Sequence, residues 1–132
     1  MLPNSITLAV DEANDSNPTN HILSRAEESA NKSVYYDEDH VVASRNQCAF
    51  MRTFPKQNGN FYGTLKTSVK FTKDVTVVGV NGENIKIPLI AEANFSFPVG
   101  IDNAAATLAR QKLVAMLDDD TVMDPLHDQG QI

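Results

Sequence analysis

The sequence predicts an α+β fold in which an antiparallel sheet precedes helix along the chain. Residues 5–97 contain short runs with period-two alternation or β-branched and aromatic content, separated by turn residues. Residues 103–117 contain the best helix formers of the chain. Chains whose strands come first and whose helices come last are typical of α+β domains.

The strand predictions follow the alternation and the turn residues. Residues 5–10 and 21–26 can form the arms of a hairpin across the turn-rich stretch 11–20, and residues 33–36 are β-prone. The remaining predicted strands are residues 47–54, ending before an Asn58-Gly59 turn, residues 61–72, and residues 85–97 after an Asn81-Gly82 turn. Pro88 cannot donate to a ladder, so we expect it near a strand end or a bulge.

Two helices are predicted at the C-terminal end. Asp102 is a good N-cap for residues 103–117, and the acidic run 118–120 opposes a helix C-terminus, so this helix should end there. A second, short helix is predicted with Asp124 as N-cap and Pro125 at its first position. The apolar stripe of the first helix consists of Ala106, Ala109, Leu113, Met116 and Leu117.

The predicted helices are too few to cover the predicted sheet. One Ala-rich helix and a short second one cannot bury the apolar face of about five strands, and such a face must pack against another layer. A symmetric partner whose helices share this work is the simplest remedy. We therefore predict an obligate homodimer, with an interface on Leu108, Leu113, Met116 and Leu117.

Length and composition bound the class of protein. The 132 residues, of mass 14.5 kDa, suit one domain, and 42% apolar with 21% charged residues is a globular composition. No run approaches the roughly 18 apolar residues that span a bilayer, and the N-terminal apolar run is too short for a secretory signal. The single cysteine, Cys48, excludes an internal disulfide framework. We expect a soluble protein kept in a reducing compartment, with no membrane partner.

Charge is distributed unevenly along the chain. The net charge is −6, but residues 1–44 carry −6, residues 45–86 carry +5, and residues 87–132 carry −5. This asymmetry favours a basic patch with a polyanionic partner. The alternative is an ordinary solvated sheet surface.

One face of the strand 61–72 is the most informative feature. Thr64, Lys66, Ser68 and Lys70 alternate with Leu65, Thr67, Val69 and Phe71, so each set shares a face. Lysines attract phosphate, whereas hydroxyl and amide groups hydrogen-bond bases or sugars. Arg52 and Asn94 join this face if their strands lie on either side. The predicted RNA-binding residues are Thr64, Lys66, Ser68, Lys70, Arg52 and Asn94; the alternative is the solvent face of an antiparallel sheet.

No pattern indicates an active site. Residues 37–40, Asp-Glu-Asp-His, contain metal-ligand types, but consecutive residues on an extended chain point in opposite directions, which favours a solvated loop. Cys48 has no nucleophile context and should pack as a small apolar residue or lie at the sheet surface. The chain has no phosphate-binding glycine loop. We expect no enzyme activity, cofactor, metal or small-molecule substrate.

Residues 61–120 carry a resemblance to a known family. An aromatic-led Thr-x-Lys strand, a Val-x-Gly-Val-Asn-Gly loop, a long strand into Phe-Pro-Val-Gly, and an Ala-rich helix ending in Leu-Val-Ala-Met-Leu-Asp-Asp-Asp follow in order. The chain resembles the coat proteins of small single-stranded RNA bacteriophages, the leviviruses. The resemblance implies a single coat protein domain over residues 1–132. It also implies an N-terminal β-hairpin, a five-stranded antiparallel sheet, and two C-terminal helices that interlock in a homodimer.

The resemblance also implies a function. Dimers would form a T=3 icosahedral shell around the RNA genome in the virion, after synthesis in the bacterial host cytoplasm. The inner sheet face would bind an RNA hairpin and repress translation. Family contacts match Thr64, Lys66 and Arg52, whereas Ile90 and Glu92 replace a Tyr and an Asn.

Two further departures lie on the strand 47–54, where Cys48 and Phe50 occupy the places of small hydroxyl residues. Together the departures remove contacts for one specific hairpin, whereas general genome binding survives them. The alternative hypothesis is a small dimeric regulator that binds RNA or DNA and forms no shell.

Overall fold

The computed structural model describes residues 1–130. In chain order the elements are β1 (Ser5–Val10), β2 (Thr19–Glu28), β3 (Lys32–Tyr36), β4 (Asn46–Thr53), β5 (Thr64–Val78), β6 (Asn84–Pro98), α1 (Asn103–Leu117) and α2 (Asp120–Gln129). All strands precede both helices, which confirms the α+β prediction.

The strands form one sheet in which each strand neighbours the next along the chain. The predicted five-stranded sheet with a separate hairpin is corrected to six strands in one sheet. The reason is the length of β2, whose ten residues pair with β1 on one edge and with β3 on the other. A register shift between Arg25 and Glu27 accompanies the pairing with β3.

The backbone divides into two compact units. The first contains residues 1–55 and 65–96, and the second contains residues 56–64 and the residues from 97 onward. A single coat protein domain over the whole chain stays a prediction. Neither helix of the described residues has the length and apolar character needed to cross a membrane.

A buried apolar cluster of the first unit lies on one side of the sheet, whereas Val34 and Ala49, which pair with each other, are buried on the opposite side. Leu23, Tyr35 and Cys48 are buried, and Ile6, Leu8, Phe50 and Val69 pack against them. The Tyr35 and Phe50 rings meet edge to face with centroids 5.4 Å apart. Burial raises the pKa of the Cys48 thiol to about 11, so this thiol stays protonated at neutral pH. Cys48 packs as a small apolar residue, as predicted.

Hydrogen bonds tie the N-terminal residues to this core. The Arg25 guanidinium donates to the carbonyls of Leu2 and Pro3, and the Tyr35 hydroxyl also donates to Pro3. A further hydrogen bond joins Arg25 to the Tyr35 hydroxyl at 3.4 Å, and it is the main cause of the raised pKa of Arg25. The segment before β1 is therefore anchored by polar side chains of β2 and β3.

The first helix has the predicted ends. Asp102 is the N-cap of α1, and its carboxylate accepts a hydrogen bond from the Ala104 N–H at 3.2 Å. The helix ends at Leu117, before the acidic run.

The predicted start of the second helix is wrong. Asp119, not Asp124, is the N-cap of α2, and Pro125 lies inside the helix. The Asp119 carboxylate accepts hydrogen bonds from the Thr121 N–H at 3.1 Å and from its hydroxyl at 2.6 Å. The first of these bonds satisfies a free backbone N–H of the first turn, so the helix begins at Asp120, five residues before the predicted first position.

The loop before β5 requires a glycine. Gly63 has a φ of +95°, and a Cβ there would lie 2.4 Å from the Lys56 carbonyl oxygen. Its own carbonyl accepts a hydrogen bond from the Val99 N–H at 2.9 Å. The Asn58-Gly59 turn is closed by reciprocal backbone bonds between Asn58 and Phe61, as predicted.

The last strand has the predicted hairpin turn and an unexpected proline position. The Gly79 N–H donates to the Glu83 carbonyl at 2.7 Å around Asn81-Gly82. Pro88 is the fifth residue of the fifteen in β6, so it lies inside the strand. Because β6 is an edge strand, only one of its sides needs ladder donors, and a proline is tolerated there.

Candidate nucleic-acid interface

The register of β4 and β5 defines the faces of the sheet. Directly paired residues of antiparallel strands point to the same side. Lys66, Ser68 and Lys70 pair with Thr53, Met51 and Ala49. We call this side the polar face; it carries Thr64, Lys66, Ser68, Lys70, Ala49, Met51 and Thr53. The four predicted residues of β5 therefore share a face, as the alternation predicts.

A shallow pocket lies along three strands of this sheet. Its volume is about 360 Å³, and its lining includes Lys66, Ser68 and Asn94. The full lining consists of residues 51–53 of β4, residues 66–68 of β5 and residues 94–96 of β6. Asn94 therefore lies near Lys66 and Ser68, whereas Thr64 and Lys70 lie outside the pocket. A shared face for Asn94 and these β5 residues stays a prediction.

The structure places Arg52 on the other side of the sheet. Arg52 pairs with Thr67, whose side chain points away from Lys66 and Ser68. The Arg52 guanidinium donates to the Ala30 carbonyl at 2.6 and 3.1 Å. It also stacks 4.5 Å from the centroid of the Phe54 ring. The expectation that Arg52 shares a face with Thr64 and Lys66 is wrong.

The same register defines the side of two other residues of β4. Cys48 pairs with Phe71, and Phe50 pairs with Val69, so both lie on the core side. Their match to the family's small hydroxyl residues stays a prediction, whereas the structure places them on the side opposite Lys66 and Ser68. The β4 residues on the polar face are Ala49, Met51 and Thr53 instead.

Two cations of the basic segment are engaged within the sheet. Arg45 forms a two-point ion pair with Asp74, with N–O distances of 3.0 and 3.1 Å. These hydrogen bonds hold the pKa of Asp74 below its ordinary value and raise that of Arg45. The Lys86 ammonium donates to the Ala43 carbonyl at 3.2 Å. Their charges are partly balanced inside the protein.

The lysines of β5 differ from these two cations. Within residues 1–130, Lys66 and Lys70 have no carboxylate within ion-pair distance. Lys66 is exposed and Lys70 is partly buried. Their ammonium groups are available to an external anion.

Sequence reasoning missed one lysine of this face. Lys32 pairs with Met51, so its side chain points to the side that carries Lys66 and Ser68. It is exposed, and no carboxylate of the described chain lies within ion-pair distance. Lys32 lies in the acidic first third of the sequence, where the charge distribution predicts no basic patch. Only the pairing of β3 with β4 shows on which face its side chain lies.

Residues 37–40 form a hydrogen-bonded turn. His40 stacks on Tyr36 with centroids 3.7 Å apart, and its Nδ1 accepts a hydrogen bond from the Asn46 N–H at 3.0 Å. The Asp39 carboxylate accepts one from the Asn46 amide at 2.6 Å. No group of three metal-ligand side chains is found among the described residues.

The residues predicted for a dimer interface are largely exposed in the single chain. Leu108, Met116 and Leu117 of α1 are 51–53% exposed, whereas Leu113 is partly buried. The first half of β6 is exposed as well, including Ile85, Ile87, Leu89 and Ile90. One chain thus leaves apolar side chains of both elements in water.

Comparison with known proteins gives structural matches only. No family model matches the chain, and no curated protein matches its sequence. The virus-like particle of bacteriophage AVE019 is 25% identical, with a TM-score of 0.78 over 99% of this chain and 98% of that one.

Two further matches come from levi-like viruses. The virus-like particle of Beihai levi-like virus 32 is 18% identical, with a TM-score of 0.74 over 85% of this chain and 88% of that one. That of Wenzhou levi-like virus 4 is 19% identical, with a TM-score of 0.74 over 97% and 87%. The resemblance predicted from residues 61–120 is confirmed: the chain has the fold of levi-like phage coat proteins.

Proposed function

We propose that the chain is a capsid protein that assembles as homodimers into a shell around single-stranded RNA. The similarity to the AVE019 virus-like particle over almost the whole of both chains supports this proposal most strongly. The role is structural, not catalytic. The protein is made in the bacterial host cytoplasm and resides in the virion.

The exposed apolar residues support a second copy of this chain as the first partner. On α1, about half of the surface of each of three apolar residues is exposed: Leu108, Met116 and Leu117. The strand β6 is a fifteen-residue edge whose first half is exposed. In a monomer, a long apolar edge strand leaves backbone groups unpaired, and an uncovered helix stripe leaves apolar side chains in water; both favour association with another chain. Symmetric self-association removes both from water at once.

The polar face supports RNA as the enclosed partner. It presents unpaired lysines beside hydroxyl and amide groups, the combination that binds phosphate and contacts sugars or bases. Translational repression requires preference for one hairpin. Because Ile90 and Glu92 offer neither an aromatic ring nor an amide, we place genome binding first and expect any hairpin preference to be weak.

Expression of the full chain alone in bacteria tests the proposal. The purified material is examined by electron microscopy, and its RNA content is measured after nuclease treatment. Closed shells with nuclease-protected RNA are expected. Dimers that bind RNA without forming shells would indicate a regulator instead, and a monomer of about 14.5 kDa would overturn the dimer as well.

A further inference from the structure

We propose that Lys32 of β3 completes an RNA phosphate-binding site with Lys66 and Lys70, and that Arg52 acts as a structural tie outside this site. The inference rests on the proposed function, because it names the residues by which the polar face holds RNA. It assigns Lys32 a role that its place in the sequence does not indicate.

The register brings the three lysines together. Lys32 pairs with Met51, and Met51 pairs with Ser68, so the three lie side by side across β3, β4 and β5. Lys66 and Lys70 flank Ser68 at two residues on either side along β5. With strands about 4.8 Å apart and a rise of about 3.3 Å per residue, the three lysine positions lie within about 13 Å of one another.

The three ammonium groups are free to bind an external anion. None of them has a carboxylate partner within residues 1–130, in contrast to Arg45, which is paired with Asp74. The groups between them are the Met51 thioether and the Ser68 hydroxyl, which add no negative charge. A lysine is a compact point charge on a flexible stem, so it follows a phosphate backbone without requiring one base sequence.

Arg52 is engaged elsewhere. Its guanidinium makes two hydrogen bonds to the Ala30 carbonyl, which lies in the turn between β2 and β3. The Arg52 N–H also donates to the Asn31 carbonyl at 3.0 Å. Arg52 therefore fixes the turn between β2 and β3, and its guanidinium is held on the side of the sheet opposite the three lysines.

The test measures the salt dependence of RNA binding. The purified full chain, freed of host RNA, is titrated with a single-stranded uridine oligonucleotide at several salt concentrations. Each phosphate contact on a single strand contributes about 0.7 to the slope of log affinity against log salt. We expect Lys32→Ala and Lys66→Ala each to lower the slope by about that amount.

Two matched variants control for loss of charge and of folding. Lys73→Ala removes an exposed lysine that pairs with Asn46 on the other side of the sheet, and Arg52→Gln removes a cation from the neighbouring strand position. Both should leave the slope unchanged. Arg52→Gln should lower the urea midpoint of unfolding, a readout that Lys32→Ala should leave unmoved.

The outcomes separate the inference from the proposed function. If Lys66→Ala lowers the slope and Lys32→Ala does not, the assignment of Lys32 is overturned while RNA binding by the polar face stands. If Arg52→Gln lowers the slope in folded protein, Arg52 belongs to the site and the structural role is overturned. If none of the variants changes the slope, the RNA-binding role of this face fails and the inference fails with it.

Discussion

Neighbouring residues of β5 have opposite environments, and under the proposed function this contrast gives one strand both a packing side and an RNA-binding side. Val69 packs against the buried Leu23, Tyr35 and Cys48, whereas Lys70 lies on the polar face. A strand side chain reaches only one face, so core packing and the proposed RNA contacts fall at alternate positions. Substitutions at adjacent residues should therefore change different measurable quantities.

The variants Val69→Ala and Thr64→Ala test this separation. Val69→Ala should lower the free energy of unfolding by about 1–2 kcal/mol, because it removes partly buried methyl groups that pack against the core, and it should leave RNA affinity per folded dimer unchanged. Thr64→Ala should weaken RNA binding by about 1 kcal/mol without changing the salt slope, because only a hydroxyl contact is lost. Urea unfolding and RNA titration are the measurements. The reverse assignment of the two effects would show that the faces are exchanged.

The ion pair between Arg45 and Asp74 makes stability depend on pH. The pKa of Asp74 is lower in the folded chain than its ordinary value of 3.8. Its stabilising contribution is thus complete above that ordinary value, and it is lost as the pH falls through the lowered folded pKa. Asp74→Asn should be less stable than the parent at pH 7, and the two should converge in strong acid.

Urea unfolding at several pH values measures this convergence. Glu83→Gln is the control, because the Glu83 carboxylate has no ion-pair partner among the described residues. Its stability relative to the parent should not change over the same range. A constant difference between Asp74→Asn and the parent at every pH would exclude the linkage.

At the residue scale, the sequence predicts alternation within a strand but not register between strands. Thr64, Lys66 and Ser68 share a face because period two requires it. Arg52 and Lys32 are assigned only once β4 is aligned with β5 and β3, since a shift of one residue reverses every face. The loop 54–63 sets the first alignment, and no local pattern in it predicts the pairing of Arg52 with Thr67.

At the element scale, helix starts are decided by which residue can satisfy the first free N–H groups. Asp102 was identifiable because it directly precedes a run of helix formers. Asp119 lies in a run of three aspartates, so the sequence alone does not single it out as the N-cap. Pro125 favours a later start of the second helix, because proline suits the first helical turn. The hydrogen bonds of Asp119 to Thr121 outweigh that preference, and the helix carries Pro125 inside it.

Removing the two candidate caps should therefore have unequal effects. Asp119→Ala should lower the free energy of unfolding by about 1 kcal/mol, because the N-cap bonds to Thr121 are lost. Asp124→Ala should change it by less than about 0.5 kcal/mol, because Asp124 is exposed within the helix. Thermal or urea unfolding monitored by circular dichroism measures both. Equal losses would support a start at Asp124.

At the scale of the whole molecule, the single chain does not cover its own apolar residues. The predicted shortage of helix agrees with the exposure of Leu108, Met116 and Leu117 on α1. The sheet has six strands and not five because β2 pairs with β1 on one edge and with β3 on the other. This pairing depends on the length of β2 and on the position of its bulge. The alternation of residues in the sequence predicts neither. The proposed dimer accounts for the uncovered helix stripe.

A charge in this stripe should prevent self-association. Met116→Asp places a carboxylate where the proposed partner subunit excludes water, at a cost of several kcal/mol. Gln111→Asp places the same group on the opposite side of α1, where it should be tolerated. Light scattering after size-exclusion chromatography should find no dimers or shells for the first variant and parental assembly for the second. Assembly of Met116→Asp would show that the interface lies elsewhere.

The central claim is that this chain builds a shell whose polar sheet face meets RNA. Electron cryomicroscopy of particles from the chain expressed alone tests it most directly, because one reconstruction reports assembly and orientation together. We predict closed shells with the side chains of Lys32, Lys66 and Lys70 on the inner surface, beside density for RNA. Shells with this face on the outer surface, or preparations without shells, would contradict the claim.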